Sequence, residues 1–236
     1  MRKVVVSSIV SLDGHVAGPG GNVMALPMDA FFDEHNLERQ RQADTLLLGR
    51  TTYLGLKSYW PAIAEDPTRS PAVQLDPSTA EVHRETAQRN NALRKVVVSD
   101  TLTQADTDPW TDTTTIVRRA DAHDAVRRLK AQPGDDLLVF GSSTLWADLL
   151  QAGLVDELHL LVGPVVLGGG LPAYGPGPVP PLRLLDVRRR EQQVAPVLST
   201  DDLPRRRGGQ RQRGHGGSGD RYQPSGRSVG LLWRCR

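Results

Sequence analysis

The 236-residue chain reads as an α/β domain of three layers: a mostly parallel sheet, helices on both of its faces, and an antiparallel C-terminal edge. Three observations lead there. Short β-branched apolar runs recur along the chain, beginning with KVVVSSIV at Lys3 to Val10. Between them stand segments of about ten residues with helical spacing, the length that right-handed crossovers between parallel strands require. The last apolar run follows the Pro- and Gly-rich stretch Pro172 to Pro181, which suits a long connection to an antiparallel edge strand.

The elements follow in order. Lys3 to Val10 is a buried strand stopped by the turn signal Asp13-Gly14. Asp29 to Ala43 is a helix with Phe32, Leu37 and Ala43 among charges, and it leads into the apolar strand Thr45 to Leu48. Thr51 to Lys57 is a short helix, Ser78 to Asn91 a longer polar one, and Lys95 to Ser99 the next strand. A β-branched strand at Thr113 to Val117 precedes a helix at Asp121 to Ala131, on which Ala125, Val126 and Leu129 form the apolar stripe. Leu137 to Phe140 is a strand, Ser143 to Gln151 a helix ended by Gly153, Glu157 to Gly163 a strand, and Leu182 to Val187 the last one.

Composition divides the chain at residue 190. From Glu191 onward there are nine arginines and four acids, so the formal charge of +2 conceals a body of net −3 and a tail of net +5. The expected division is a catalytic domain over 1–190 and a basic Gly/Arg-rich tail over 191–236 that has too little apolar surface to offset its ordering entropy. Within the tail only Val229 to Arg236 resembles a strand. The single cysteine, Cys235, excludes an internal disulfide, and the six histidines show no metal-ligand spacing, so no metal is expected. No apolar run is long enough for a membrane span and no signal peptide is evident, which gives a cytoplasmic expectation.

Ligands of open α/β sheets bind beyond the carboxyl ends of the strands, and four such points have unusual chemistry. They are Ser11-Leu12-Asp13-Gly14, Gly49-Arg50-Thr51, Ser99-Asp100 and Gly141-Ser142-Ser143-Thr144. The second and fourth open helices. Free backbone N–H groups and hydroxyls there suit a diphosphate, with the Arg50 guanidinium as a planar partner; equally, Gly141 makes a tight turn, Ser142 caps a helix and Arg50 is a surface residue. Asp29 is either a chemically active carboxylate or a first-turn residue facing the helix dipole. Asp13 is the rival carboxylate, or a turn cap.

Four segments then resemble one family: VVVSSIVSLDG (Val4 to Gly14), LLLGRTTY (Leu46 to Tyr53), LLVFGSSTL (Leu137 to Leu145) and GLVDELHLLVGPVVLGGG (Gly153 to Gly170). Their order and spacing are similar to the dihydrofolate reductase-like superfamily and, more narrowly, to the RibD C-terminal reductase domain of riboflavin biosynthesis and its stand-alone bacterial relatives. The likeness covers Arg2 to Val187. It implies reduction of a pterin-like or phosphoribosylaminouracil-like heterocycle, the 5-amino-6-(5-phosphoribosylamino)uracil reductase type of activity. NADPH is the implied hydride donor and NADH the alternative. It further implies that Gly49, Arg50, Thr51, Gly141, Ser142, Ser143, Thr144 and Leu145 hold the cofactor phosphates, and that Ser99 approaches the adenosine ribose and its 2′-phosphate. Ser11, Asp13 and Gly14 would line the nicotinamide side, with Asp29 and Asp13 as the candidate catalytic carboxylates. Relatives commonly dimerise through a sheet edge, so a homodimer is implied too.

Two features depart from the family pattern: Asp100 and the end of the domain. At that end relatives close with a short hairpin and this chain turns into the tail, so that either Val229 to Arg236 returns to pair with Leu182 to Val187 or the edge strand is missing, as a damaged or read-through terminus would leave it. Asp100 stands where relatives often carry a base, and its charge would oppose a 2′-phosphate if it pointed inward. Two other functions compete with the reductase: a non-catalytic nucleotide-binding protein, which the same phosphate motifs would serve, and nucleic-acid binding through the tail, against which the acidic body argues.

Overall fold

Val4–Val10 (β1) is buried at all seven positions and lies inside an eight-stranded sheet of the computed structural model, which describes residues 1–190 and 193–200. The other elements, in chain order, are His15–Ala17 (β2), Ala30–Arg41 (α1), Ala43–Gly49 (β3), Arg50–Glu65 (α2), Pro71–Leu75 (α3), Ala80–Ala92 (α4), Arg94–Val98 (β4) and Thr114–Val117 (β5). Ala122–Ala131 (α5), Asp136–Phe140 (β6), Ser143–Gln151 (α6), Glu157–Val162 (β7), Leu171–Pro172 (β8), Arg183–Arg190 (β9) and Gln193–Ser199 (β10) complete them. The sheet order is β5-β4-β3-β6-β1-β7-β10-β9, parallel from β5 to β7, with β10 antiparallel to both of its neighbours.

Alternation along β1 divides the core. Val4, Val6 and Val10 join a cluster under α5 and α6 with Trp146, Leu149 and Leu158, while Val5 meets Leu46, Leu48, Tyr53 and Leu138 on the opposite face. Ile9 lies with Phe32 and Leu161 in a third cluster beneath α1. The α/β fold with helices on both faces is therefore the one the apolar runs imply.

Three features differ from the sequence expectation. The helix expected over Thr51 to Lys57 runs on to Glu65 through Pro61. Burial of Ile63, and of Leu56 and Trp60 against the Tyr53 cluster, offsets the roughly 3 kcal/mol that an interior proline costs. A two-stranded ribbon, β2 with β8, was too short to signal itself. The third concerns the boundary at 190: the sheet continues with β10, which pairs with both β7 and β9. Its alternation, with Ala195, Val197 and Ser199 buried, was masked in the sequence by Pro196 and the nearby arginines. The ladder to β7 skips Ala195 and Pro196, which accommodates the missing N–H. Among the described residues the edge strand is thus β9, followed by a strand that the composition had assigned to the tail. The rest of that tail, with Val229 to Arg236, lies outside the described residues.

No helix among the described residues is long and apolar enough to cross a membrane, and no cluster of three or more His, Cys, Asp or Glu among them could hold a metal ion.

Beneath β7 and β10 lies a buried polar pair. The rings of His35 on α1 and His159 on β7 are 5.3 Å apart, and neither nitrogen of His35 has a hydrogen-bond partner. Burial, reinforced by His159, Arg39 and Arg188, pushes the His35 imidazole down to about 4. The unfolded chain then binds this proton more readily than the folded one, so stability falls as pH drops from 6.5 toward 4. The contribution is about 3 kcal/mol at full protonation. Urea midpoints followed over this range should show His35→Phe losing less stability than the parent by about that amount; parallel curves would remove His35 as the cause.

Candidate active site

β3 and β6 are neighbours, so the two helices that follow them begin side by side at the carboxyl edge of the sheet. The junctions are clasped together. The N–H of Gly49 donates to Ser142 Oγ at 2.9 Å, and the N–H of Ser142 donates to Thr52 Oγ1 at 3.0 Å. The clasp requires an unusual backbone: Gly141 has φ +60° and Ser142 has φ +44°, both left-handed. Glycine at 141 also meets a packing need, since a Cβ there would come within 3.2 Å of Thr52 Cγ2.

The consequence is two convergent helix N-termini. Ser142 accepts from the N–H of Leu145 and Trp146 at 2.9 and 3.0 Å, whereas Ser143 and Thr144, first residues of α6, have no intrahelical acceptor for their N–H groups. Beside them the exposed Arg50 and Thr51 open α2, where Gly49 caps without a side-chain bond. Leu145 is buried and packs into the core rather than facing the edge. Six N-terminal residues of two helices thus share one small patch, with aligned dipoles, hydroxyls and a guanidinium.

At the end of β4, Ser99 is buried, and its Oγ accepts the N–H of Leu102 at 2.9 Å and of Thr101 at 3.2 Å, so it holds its own turn. Asp100 points toward the end of β5. Its Oδ1 accepts the Arg119 N–H at 2.9 Å and its Oδ2 lies 3.6 Å from Arg119 Nε. Arg118 Nη1 reaches the Ser99 carbonyl at 3.3 Å. The acid that threatened a 2′-phosphate is accordingly flanked by two guanidinium groups that the sequence reading had not singled out.

The third face of the cleft is built from the loops after β1 and β7. Ser11 Oγ donates to Asp13 Oδ1 at 2.6 Å and accepts the His15 N–H at 2.9 Å. Asp13 in turn accepts the N–H of Leu167 at 3.1 Å and of Gly168 at 2.8 Å. The Ser11 hydroxyl, with these backbone donors, holds the Asp13 carboxyl well below the usual carboxylate range. Asp13 therefore stays ionised near neutral pH and fastens one loop to the other. Gly14 accepts from Ala173, and Gly170 lies so close to the β2 segment that a Cβ there would overlap the Ala17 carbonyl.

Asp29 is the N-cap of α1. Its Oδ1 accepts the Phe32 N–H at 3.0 Å, and the residue is exposed. Pro27, two residues before it, packs against Gly163 beyond β7, which sets the start of α1 over the ends of β1 and β7. Every residue singled out in the sequence stands at the carboxyl edge except Leu145. Thr52, Arg118 and Arg119 were missed: Thr52 signals itself only through its contact with Ser142, and the arginines only through the turn of Asp100.

The sequence model of the RibD C-terminal domain family matches residues 2–195. An uncharacterized protein of Bacillus subtilis, YyaP, is 29% identical over 173 residues, which is 73% of this chain and 80% of the relative. Among solved structures, a Shewanella sp. PV-4 protein provisionally named for riboflavin biosynthesis superposes with a TM-score of 0.57 at 17% identity, covering 84% of this chain and 98% of its own. A Thermotoga maritima diaminohydroxyphosphoribosylaminopyrimidine deaminase/5-amino-6-(5-phosphoribosylamino)uracil reductase superposes with a TM-score of 0.54 at 16% identity, over 84% of this chain and 56% of that one.

Gly141→Ala should lower stability by roughly 1–2 kcal/mol for the left-handed backbone alone. Denaturant unfolding of the purified variant measures it, and an unchanged midpoint would mean that the clasp can form with ordinary backbone angles.

Proposed function

The chain belongs to the RibD C-terminal domain family, and from that premise we propose that it is a reductase that carries hydride from NADPH to the ring or ribosyl carbon of a pterin-like or aminouracil-like heterocycle. The observation that supports this most directly is the pair of clasped helix starts at Gly49 and Gly141. The residues there fit a dinucleotide: Ser143 and Thr144 offer backbone and hydroxyl donors to a diphosphate, Thr51 a further hydroxyl, and Arg50 a bidentate guanidinium. A bound NADPH would supply the hydride, which no side chain can provide.

The protein's own part is to position and protonate. Ser11, Asp13 and Gly14 shape the nicotinamide side, and Asp13, kept anionic by its three donors, orients the Leu167 to Gly170 loop instead of giving up a proton. Asp29 is the carboxylate left for the acceptor: with Oδ1 on the Phe32 N–H, its other oxygen can carry the proton that joins the acceptor heteroatom as hydride reaches the neighbouring carbon. NADPH is preferred over NADH because the charge of Asp100 is countered by Arg119, which leaves the Ser99 to Arg119 corner able to receive a 2′-phosphate. A homodimer through the edge of β9, where Leu184, Leu185 and Val187 stand exposed, accords with this reading.

Titration with NADPH and NADH, followed by absorbance loss with dihydropterins and aminouracils, tests the reading; binding without turnover would favour a nucleotide-binding scaffold. Arg50→Ala should weaken NADPH binding by about 1.5 to 3 kcal/mol, the worth of a charged hydrogen bond, and undiminished affinity would remove Arg50 from the phosphate site. Arg119→Ala should lower affinity for NADPH roughly tenfold, about 1.4 kcal/mol, with NADH affinity unchanged. Equal losses for the two cofactors would refer the effect to the turn rather than the 2′-phosphate.

A further inference from the structure

The Pro- and Gly-rich stretch before β9 takes no part in the cleft. Arg183, where β9 begins, is level through Ser199 with Glu157, the first residue of β7, so the stretch arrives at the edge of the sheet opposite the cleft. Gln151, the last residue of α6, meets it there: its Nε2 donates to the Pro176 carbonyl at 3.3 Å. Four of the six residues from Pro176 to Pro181 are proline. Each ring fixes its own φ at about −65°, and a following proline keeps Val179 and Pro180 out of the helical region. A left-handed polyproline helix with about three residues per turn is what these restrictions leave, and no α-helix or strand forms between Pro172 and Arg183.

Burial follows that period. Val179 and Leu182, three positions apart, are half-buried and pack on the core cluster that holds Trp146 and Leu150. Pro178 and Pro181, also three apart, are exposed, as are Gly177 and Arg183. One of the three faces is therefore turned to the fold, and the prolines face outward. The approach to the segment is pinned as well. Ala173 donates its N–H to the Gly14 carbonyl at 2.8 Å, and the Tyr174 ring meets Trp146 edge-on with centroids 5.5 Å apart. Gly177 has φ +135°, and a Cβ there would come within 3.1 Å of Gln151 Oε1. A segment whose shape is fixed before contact loses little conformational entropy on binding.

We propose that Gly177, Pro178, Pro180, Pro181 and Arg183 form a docking surface for a partner protein with an aromatic-lined, acid-flanked groove of the kind that reads PxxP segments. Such grooves take a polyproline helix by two of its three faces. Aromatic rings would accept the pairs Gly177-Pro178 and Pro180-Pro181, and an acidic side chain would meet the basic residue two positions beyond the second pair, which is Arg183. The face that these grooves leave alone is the one that Val179 and Leu182 turn to the core. This surface is independent of the proposed reduction, since the cleft lies at the other edge of the sheet.

An isolated SH3 domain that selects PxxP followed by x-Arg is the probe, carrying a fluorescent label and titrated with the full-length protein while anisotropy is recorded. Saturable binding with a Kd below about 1 mM is expected. The domain's own proline-rich peptide ligand should displace it, and the double substitution Pro178→Ala with Pro181→Ala should weaken it at least about tenfold. Both prolines are exposed, so the variant should keep the thermal midpoint of the parent. Absence of saturation up to about 1 mM, binding that the peptide does not displace, or equal affinity of the variant overturns the proposal. Should the variant melt lower, competition by the peptide on the parent chain decides alone. Failure to bind NADPH or NADH would overturn the reductase reading and leave this surface untouched.

Discussion

Ser142 joins two halves of the cleft that the chain separates by 90 residues. Its hydroxyl oxygen takes the Gly49 N–H and its own N–H goes to Thr52, so the starts of α2 and α6 are fixed relative to each other by two hydrogen bonds. Each is worth only about 1 kcal/mol in net stability. Their importance is geometric: under the proposed reading a diphosphate takes donors from both helices at once, and a shift of 1 Å at either would misplace half of them. The left-handed backbone at Gly141 and Ser142 is the condition for this arrangement, and it lies at the point where function is proposed.

The loops after β1 and β7 solve a different problem by similar means. Irregular backbone at the mouth of a cleft must satisfy its own N–H groups, and Asp13 does so for Leu167 and Gly168 while Gly14 receives Ala173. An ionised carboxylate is a stronger acceptor than a carbonyl, so the loop gains order from a charge. Arg50 follows β3 and Arg118 and Arg119 follow β5, while Asp13 ties two loops and Asp29 caps α1.

Much of this was legible in the amino-acid order. The strands of the parallel sheet could be read because their runs are β-branched and short, and the four strand ends because Gly, Ser, Arg and Asp interrupt those runs where a ligand could approach. What could not be read were relations across the fold. Nothing local links Ser142 to Thr52, and nothing local says that Asp100 turns to Arg119. Asp13 could be listed as a carboxylate in the cleft, but its three donors, two of them more than 150 residues distant, decide that it binds a loop and keeps its charge. Pro196 concealed β10, since proline in an inner strand runs against ordinary expectation; the pairing gap that tolerates it exists only in the assembled sheet.

That last strand has a consequence for the order in which the molecule is made. β10 comes latest of the described strands in sequence, yet in the sheet it separates β7 from β9. A ribosome releases β7 some thirty residues before β10, so for on the order of seconds the nascent sheet ends in a bare row of β7 N–H and C=O groups. β7 is six residues long, with Leu158, His159, Leu160 and Leu161 buried in the finished protein, which makes it a sticky edge while it waits. Speed of elongation through residues 163–192, and not any property of the cleft, governs how long the growing chain is open to pairing with a neighbour.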